Sequence, residues 1–152
     1  MSSDAVTFAD ISSADWSLRL DVTAGSGAGG GIGQVVQGIA DVDQCVRIIL
    51  TTPKGADPLR PTFGADLWRY VDTPINLAQA SIVREITEAL LLWESRIDLL
   101  KVSVTPVFDG SDQSGAHLNV TAIWRLKLSG TKASSGLPAS SSTTVTLNPQ
   151  LA

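Results

Sequence analysis

Apolar and polar residues alternate in three parts of the chain, and this pattern predicts two hairpins. Residues 16–22 alternate with the period of a half-buried strand. Residues 25–33 hold six glycines, which impose no conformation, so we interpret them as a flexible loop and residues 34–39 as the returning strand. Residues 100–108 and 118–128 alternate on either side of a turn-rich connection, so they are predicted to pair as the second hairpin.

A short helix is predicted after the first hairpin. Asp41 can act as its N-cap, with Gln44 at the capping-box position three residues later. Apolar residues then recur at helical spacing as far as Leu50. The helix has to end near Thr52, because Pro53 disfavours a helical residue before it.

The longest helical period covers residues 75–97, and Pro74 suits the first turn of that helix. Asn76 with Gln79 offers a second capping box. A run of leucines before Trp93 widens the apolar stripe beyond one face, so the C-terminal half of the helix is expected to be covered on two sides. If those sides are not both internal, a partner covers one. The predicted stripe consists of Ile82, Ile86, Ala89, Leu90, Trp93 and Ile97.

Two segments have the composition of loops. Residues 53–61 hold three prolines, which predict a stiffened loop closed by Phe63 and Gly64. Ser and Thr dominate residues 129–152, which include one strand-like patch at 143–147. This last segment cannot bury enough apolar area by itself to offset the entropy of ordering. It is therefore either a disordered tail or an arm that orders against another subunit.

The order of these elements predicts an α+β fold. A small mixed or antiparallel sheet would combine with an N-terminal hairpin, a short helix, a long helix and a C-terminal hairpin. We expect one domain over residues 1–128 and a polar arm or tail over residues 129–152.

Composition and charge exclude several classes of function. The 11 basic residues are scattered and the net charge is −4, whereas a nucleic-acid-binding protein shows a basic stripe. No apolar run approaches the roughly 20 residues of a membrane span, so no membrane contact is expected. The first ten residues carry no basic residue, which excludes a signal peptide and predicts a cytoplasmic chain unless an assembly carries it out. Cys45 is the only cysteine and is predicted to be a small buried apolar residue.

The glycine-rich run matches the spacing of a dinucleotide-binding fingerprint at Gly25, Gly27 and Gly30. That fingerprint needs a helix that starts at the third glycine, within a parallel βαβ unit. Gly31 and Gly33 follow instead and make a poor helix start. The match is therefore interpreted as chance, and no cofactor is predicted.

Glycoside hydrolysis is the one catalytic reaction for which the chain offers candidate residues. It needs two carboxylates across a cleft, one of them with a raised pKa. Glu85, Glu88 and Glu94 are the candidates, but Glu85 and Glu88 lie one turn apart on the polar part of a helix, where charges are usually solvated. His117 is the only histidine and supplies half of a triad or metal site at best, so a surface turn residue is predicted.

Three blocks of sequence resemble the phage baseplate assembly protein W family. They are VRIILTTPKG at 46–55, RPTFGADL at 60–67 and LWESRI at 92–97, and their order and spacing make the resemblance specific. These wedge proteins are also called tail sheath initiators and have relatives in type VI secretion baseplates. Family members usually carry Glu-Pro-Arg after the long helix. In this chain Ser95 stands between Glu94 and Arg96, so the geometry of that turn is open.

The resemblance implies a structural protein and not an enzyme. It implies several copies in a ring that join other baseplate wedge proteins to the tail sheath protein, with tube or hub proteins as further candidate partners. Sheath assembly would start by addition of a sheath strand at the edge of the sheet. The location implied is the tail baseplate of a virion, assembled in the host cytoplasm. The alternatives are a lysozyme-like tail enzyme that cleaves peptidoglycan, and a type VI secretion baseplate subunit.

Three groups of residues are predicted to bind partners. Glu94 and Arg96 form either a surface pair at the helix end or an ion pair between subunits, and in the second case Arg96→Ala folds normally but fails to join the baseplate. The proline-fixed loop presents side chains that have little entropy left to lose, although Phe63 and Trp68 can equally well cap the core. The strand-like patch would donate or accept a strand. The predicted loop and strand residues are Arg60, Pro61, Phe63, Gly64, Val145 and Leu147.

Overall fold

Two helices and five strands form the part of the chain that the structure, a computed structural model, describes: residues 14–20, 34–70, 73–108, 116–127 and 140–147. The strands form two antiparallel sheets, which confirms the predicted α+β class. The chain divides into two compact units, residues 1–44 and 45–152. The predicted glycine loop at 25–33 and residues 129–139 lie outside the described residues.

The first unit contains the predicted N-terminal hairpin. Strand β1 (Trp16–Leu18) pairs antiparallel with β2 (Val35–Gln37), and both are shorter than the alternation predicts. Gly38 follows β2 with a φ of 60°, a value that glycine adopts without strain. Its N–H donates to the Asp15 carbonyl at 3.0 Å, which extends the strand pairing by one residue just before the first helix.

Helix α1 (Ile39–Thr51) begins two residues before the predicted N-cap and ends where Pro53 requires. Because Gly38 makes the turn, Asp41 lies inside the first helical turn and is buried. A carboxylate in the first turn interacts favourably with the helix dipole. The predicted capping box is wrong, because the Gln44 amide bonds to β1 instead. The prediction of a buried Cys45 is also wrong, since it is half-buried.

Helix α2 (Ile75–Trp93) follows a 3₁₀ turn (Leu67–Tyr70) and packs against that turn and the second sheet. Its N-cap is Pro74, which makes no side-chain hydrogen bond, so the capping box predicted at Asn76 and Gln79 is wrong. The helix ends at Trp93, four residues earlier than predicted. The core members of its predicted stripe are confirmed: Ile82, Ile86, Ala89 and Leu90 are buried.

The second sheet has the order β3-β4-β5, formed by β3 (Ile97–Phe108), β4 (Ala116–Leu126) and β5 (Ser141–Leu147). The predicted C-terminal hairpin is β3 with β4. Ile97 belongs to β3, not to the helix. Strand β5 lies in the segment interpreted as an arm or tail, yet it pairs with β4 of its own chain. The domain division at residue 128 stays a prediction.

A buried hydrogen bond fixes β5 to its neighbour. The Trp124 indole N–H donates to the Thr143 hydroxyl at 2.9 Å, and both side chains are buried. One row across the three strands, Val104, Val120 and Val145, is also buried. A Ser/Thr-rich strand therefore orders because the sheet supplies the apolar contacts and the polar partner that it lacks by itself.

Apolar residues remain exposed at the end of α2. Leu91 is 64% exposed and Leu92 is 65% exposed, so the second apolar face predicted for this helix is not covered by the described residues. No helix in the described ranges is long and apolar enough to cross a membrane.

Candidate assembly interface

The two edge strands of the second sheet differ in how readily they can accept another strand. Along β3, Pro106 has no N–H to donate, and the register shifts between Leu99 and Lys101. A proline, a bulge and a lysine are devices that blunt a sheet edge. Along β5, seven residues without proline or formal charge run in unbroken register with β4.

The predicted strand residues Val145 and Leu147 lie at different positions of β5. Val145 is buried in the row described above, so its side chain belongs to the core. Leu147 lies in register with Leu118 at the end of the strand. Thr146 donates to the Asn119 side-chain oxygen at 2.7 Å. A partner at this edge would therefore meet the main chain of β5 and a hydroxyl-bearing face.

The loop between α1 and the 3₁₀ turn is held by a carboxylate. Asp57 accepts the Leu59 N–H at 2.9 Å with one oxygen and the Arg60 Nε at 2.9 Å with the other. The Leu59 N–H, followed by the Arg60 side chain, lowers the pKa of Asp57 below its usual value. The Gly55 N–H donates to the Pro61 carbonyl at 2.9 Å and closes the loop.

Two aromatic side chains, Phe63 and Trp93, connect this loop to helix α2. The Arg60 guanidinium carbon lies 4.7 Å from the centre of the Phe63 ring, a cation–π distance. Phe63 meets the Trp93 ring edge-on, with centroids 5.2 Å apart. The Trp93 indole N–H donates to the Thr62 carbonyl at 3.0 Å. Arg60 and Phe63 are both predicted to bind partners. In the structure they form a cluster with Trp93 that joins the loop to the end of α2.

Gly64 ends the loop in a conformation that only glycine fits. Its φ is 96°, and a Cβ added there would lie 2.0 Å from the Thr52 carbonyl oxygen. The same carbonyl accepts the Ala65 N–H at 3.0 Å. Gly64 therefore has a conformational role: it lets the backbone at the end of the loop approach the end of α1 closely.

Leu59 is the residue of this loop that the sequence analysis missed. Its side chain is 91% exposed, although its backbone N–H is held by Asp57. An apolar side chain displayed on a fixed backbone is suited to contact with another protein, because little entropy is lost on binding. Its place between Pro58 and Pro61 is the sequence signal that could have identified it.

Glu94 and Arg96 form a compact pair inside this chain. The carboxylate of Glu94 is only 5% exposed. Its Oε1 accepts the Arg96 Nε at 2.8 Å and its Oε2 accepts Nη2 at 2.8 Å, the two-pronged geometry of strong Arg–carboxylate pairs. Oε1 also accepts the Arg96 backbone N–H at 3.2 Å. These contacts hold the turn at Ser95 and Arg96 that follows α2.

The candidate catalytic carboxylates have partners that oppose the role of a general acid. Burial would raise the pKa of Glu85, but hydrogen bonds from Lys54 and the Asp66 N–H outweigh it and lower that pKa. Glu88 pairs with Arg84 at 2.7 Å on the exposed face of α2. Among the described residues, no group of three or more His, Cys, Asp or Glu is placed to hold a metal ion. His117 lies in β4 opposite Val107.

The lowered pKa of Glu85 predicts a specific loss of stability in acid. Because its folded pKa lies below the ordinary value of 4.5, the stabilisation is present above pH 4.5 and is lost as pH falls through the folded pKa. We expect Glu85→Gln to flatten this part of the pH profile of the free energy of unfolding. Urea unfolding from about pH 6 to about pH 3 measures it, with Glu88→Gln as the control. Equal acid dependence in wild type and Glu85→Gln would contradict the assignment.

Comparison with known proteins identifies the family. The sequence profile described as "Baseplate wedge protein gp25" matches residues 36–128. Baseplate wedge protein gp25 of Enterobacteria phage T4 is 36% identical over 73 residues, which are 47% of this chain and 55% of that protein. The chain thus spans about half the length of this curated relative.

Solved structures show the same similarity. A putative tail lysozyme from Geobacter sulfurreducens is 29% identical with a TM-score of 0.54, over 74% of this chain and 94% of that one. A chain of the R2 pyocin baseplate after contraction is 32% identical with a TM-score of 0.52, over 63% of this chain and 92% of that one. A chain of a type VI secretion baseplate complex is 17% identical with a TM-score of 0.44, over 68% of this chain and 86% of that one.

These matches confirm the predicted family and the predicted place in the tail baseplate. The profile match runs from β2 to just past the end of β4, where the three sequence blocks lie. Because the matching profile covers more than half of the chain, the chain belongs to the baseplate wedge protein gp25 family.

Proposed function

We propose that this chain is a structural baseplate subunit that starts sheath assembly by accepting a sheath strand at the outer edge of β5. The contrast between the two edges of the sheet is the observation that supports this. Proline, a bulge and a lysine blunt β3, whereas β5 offers an uninterrupted, uncharged edge. Other wedge proteins, and tube or hub proteins, would contact the rest of the subunit in a ring of several copies.

Strand addition at β5 explains both affinity and specificity. Each main-chain hydrogen bond adds about 0.5–1.5 kcal/mol net, so a few bonds along a seven-residue edge hold a partner firmly. The exposed hydroxyls of Thr144 and Thr146 already bond to β4, which keeps the edge strand in place before a partner arrives. The subunit therefore presents a formed template and does not have to fold on binding.

A pair of matched substitutions tests the choice of edge. Thr146 in β5 and Thr105 in β3 are both exposed, and their hydroxyls both bond to Asn119. A lysine on an edge strand discourages strand addition, so Thr146→Lys is expected to lower the yield of sheathed tails about tenfold, while Thr105→Lys leaves it near wild type. Electron microscopy of assembled tails measures the yield. An equal loss, or no loss, in both variants would contradict strand addition at β5.

The pairings of the candidate carboxylates support a structural role over peptidoglycan cleavage. A glycosidase needs one carboxyl with a raised pKa, but the partners of Glu85 lower its pKa and keep it ionised. Glu94 is buried against Arg96 and faces its own chain. One observation favours cleavage: a similar structure is described as a putative tail lysozyme. Incubation with purified peptidoglycan tests this inference, since release of sugar fragments would contradict it.

The loop of residues 53–63 is proposed as a second contact, toward a neighbouring wedge protein. Leu59 is the exposed anchor, while Arg60, Phe63 and Gly64 hold the backbone that displays it. Glu94 and Arg96 support the same end of the subunit, because Trp93 precedes them and bonds to the loop.

A further inference from the structure

The backbone groups of β1 alternate between its partner strand and its outer edge. Arg19 N–H donates to the Gln34 carbonyl at 3.0 Å and Gly38 N–H donates to the Asp15 carbonyl at 3.0 Å. The antiparallel register, with Ser17 opposite Val36, places Ser17 in the same hydrogen-bonding set. The N–H and C=O groups of Leu18 and Leu20 therefore point away from β2.

The side chain of Gln44 occupies this outer edge. Its Oε1 accepts the Leu20 N–H at 2.9 Å and its Nε2 donates to the Leu18 carbonyl at 2.7 Å. A residue of an added strand would accept and donate at the same two groups, as in a parallel ladder. The amide of Gln44 thus reproduces the N–H and C=O of one residue of a parallel strand, and a third bond, from Nε2 to the Ser17 hydroxyl at 2.9 Å, steadies it.

An exposed apolar stripe accompanies this edge. Trp16, Leu18 and Leu20 are 43%, 52% and 57% exposed, and they fall on alternate positions that share one face. Paired strands of three residues are marginal by themselves, and a third strand with an apolar face is what such a sheet lacks. The edge therefore matches a partner with strand hydrogen bonding and alternate apolar side chains.

We propose that the outer edge of β1 is a second strand-acceptor site, which Gln44 keeps closed until an extended, alternately apolar segment of another tail protein displaces its amide. The proposal rests on the proposed role in tail assembly, but not on strand addition at β5. Displacement exchanges the two bonds of the amide to the β1 backbone for two of the incoming backbone. The bond to the Ser17 hydroxyl is lost as well, but the half-buried Gln44 and Ser17 side chains can then bond to water. The apolar stripe then supplies the gain, because its exposed area is removed from water. Before assembly the amide guards the edge against non-specific pairing.

Hydrogen exchange in assembled tails tests the site directly. We expect amides of residues 14–20 to exchange about tenfold more slowly in the tail than in the free chain, because the outward N–H groups gain strand partners. In the free chain, Gln44→Leu is expected to speed exchange at Leu20, whose N–H loses its acceptor. Unchanged exchange at residues 14–20 on assembly would overturn the proposal.

Proline substitution separates strand addition from simple burial. Leu18→Pro removes an N–H that points away from β2, so the hairpin is retained while an added strand is blocked. We expect incorporation into tails to fall about tenfold, while Leu18→Val, which keeps the N–H, incorporates normally. Normal incorporation of Leu18→Pro would overturn the proposal. If the purified Leu18→Pro chain is not folded by circular dichroism, the wild-type exchange measurement decides.

The two proposed acceptor sites are tested by different variants, so either proposal can be rejected without the other. Thr146→Lys acts on the edge of β5, and Leu18→Pro acts on the edge of β1. Protection of residues 14–20 in tails that carry Thr146→Lys supports the β1 site whatever happens to the sheath. Normal sheath formation by Leu18→Pro subunits overturns the β1 site and leaves the proposed function standing.

Discussion

Replacing Gly64 by alanine is expected to destabilise the protein by about 3 kcal/mol or more. The positive φ of 96° opposes any L side chain, at about 1–2 kcal/mol. The added methyl group would also lie 2.0 Å from the Thr52 carbonyl oxygen, so the backbone has to move. That movement weakens the hydrogen bond from Ala65 N–H to Thr52, which closes the loop onto α1.

Gly55→Ala is the matched control for this prediction. Gly55 lies in the same loop with a φ of 86°, but nothing lies within 4 Å of an added Cβ. Its replacement should therefore show only the backbone term, about 1–2 kcal/mol. Urea unfolding of both variants gives the two free energies. Equal losses in the two variants would mean that the close approach at Gly64 relaxes without cost.

Leu59→Ser distinguishes the displayed residue of the loop from the residues that support it. Because Leu59 is 91% exposed, its truncation is expected to change stability by less than about 0.5 kcal/mol. Instead, we expect Leu59→Ser to lower the yield of subunits incorporated into baseplates. A stability loss as large as that of Gly64→Ala would show that Leu59 packs within its own chain.

The local sequence pattern predicts those helices and strands whose formation depends on residues within the element itself. The stripe of Ile82, Ile86 and Leu90 repeats often enough to predict a long helix with a buried face, and the structure has both. The alternation of β3 and β4 likewise predicts their pairing. Helix ends were less predictable. Gly38 precedes α1 with a positive φ, and Glu94 follows α2 with bonds to Arg96, and neither feature appears in the hydrophobic period.

The candidate interface depends on features that no local pattern contains. Strand β5 reads as a polar tail because its stabilising partner, Trp124, lies 19 residues away in the chain. Whether a strand is at an edge depends on the sheet order, which places β5 outside β4. The bonds of Gln44 to β1 join residues 24 to 27 positions apart. Sequence alone identified the family and predicted the loop, whereas the two proposed acceptor edges could be located only from the topology.

Arg96→Ala is expected to destabilise the subunit by about 2 kcal/mol, which revises the expectation of normal folding. Removing one member of a buried ion pair costs about 3–5 kcal/mol, because a buried charge is left without compensation. The Arg96 side chain is 32% exposed, so water partly replaces it and the expected loss is smaller. Thermal or urea unfolding of the free subunit measures the loss.

The geometry of the pair predicts an order among three variants. Arg96→Lys keeps the charge but loses the two-pronged contact, so it should lie between wild type and Arg96→Ala. Glu94→Gln removes the buried charge, and adding it to Arg96→Ala should recover part of the lost stability in a double-mutant cycle. A cycle without coupling would show that the pair contributes nothing to folding. The pair would then be explained by contact with a neighbouring subunit. Measuring the incorporation of each variant into baseplates, at temperatures where all variants stay folded, would test that explanation.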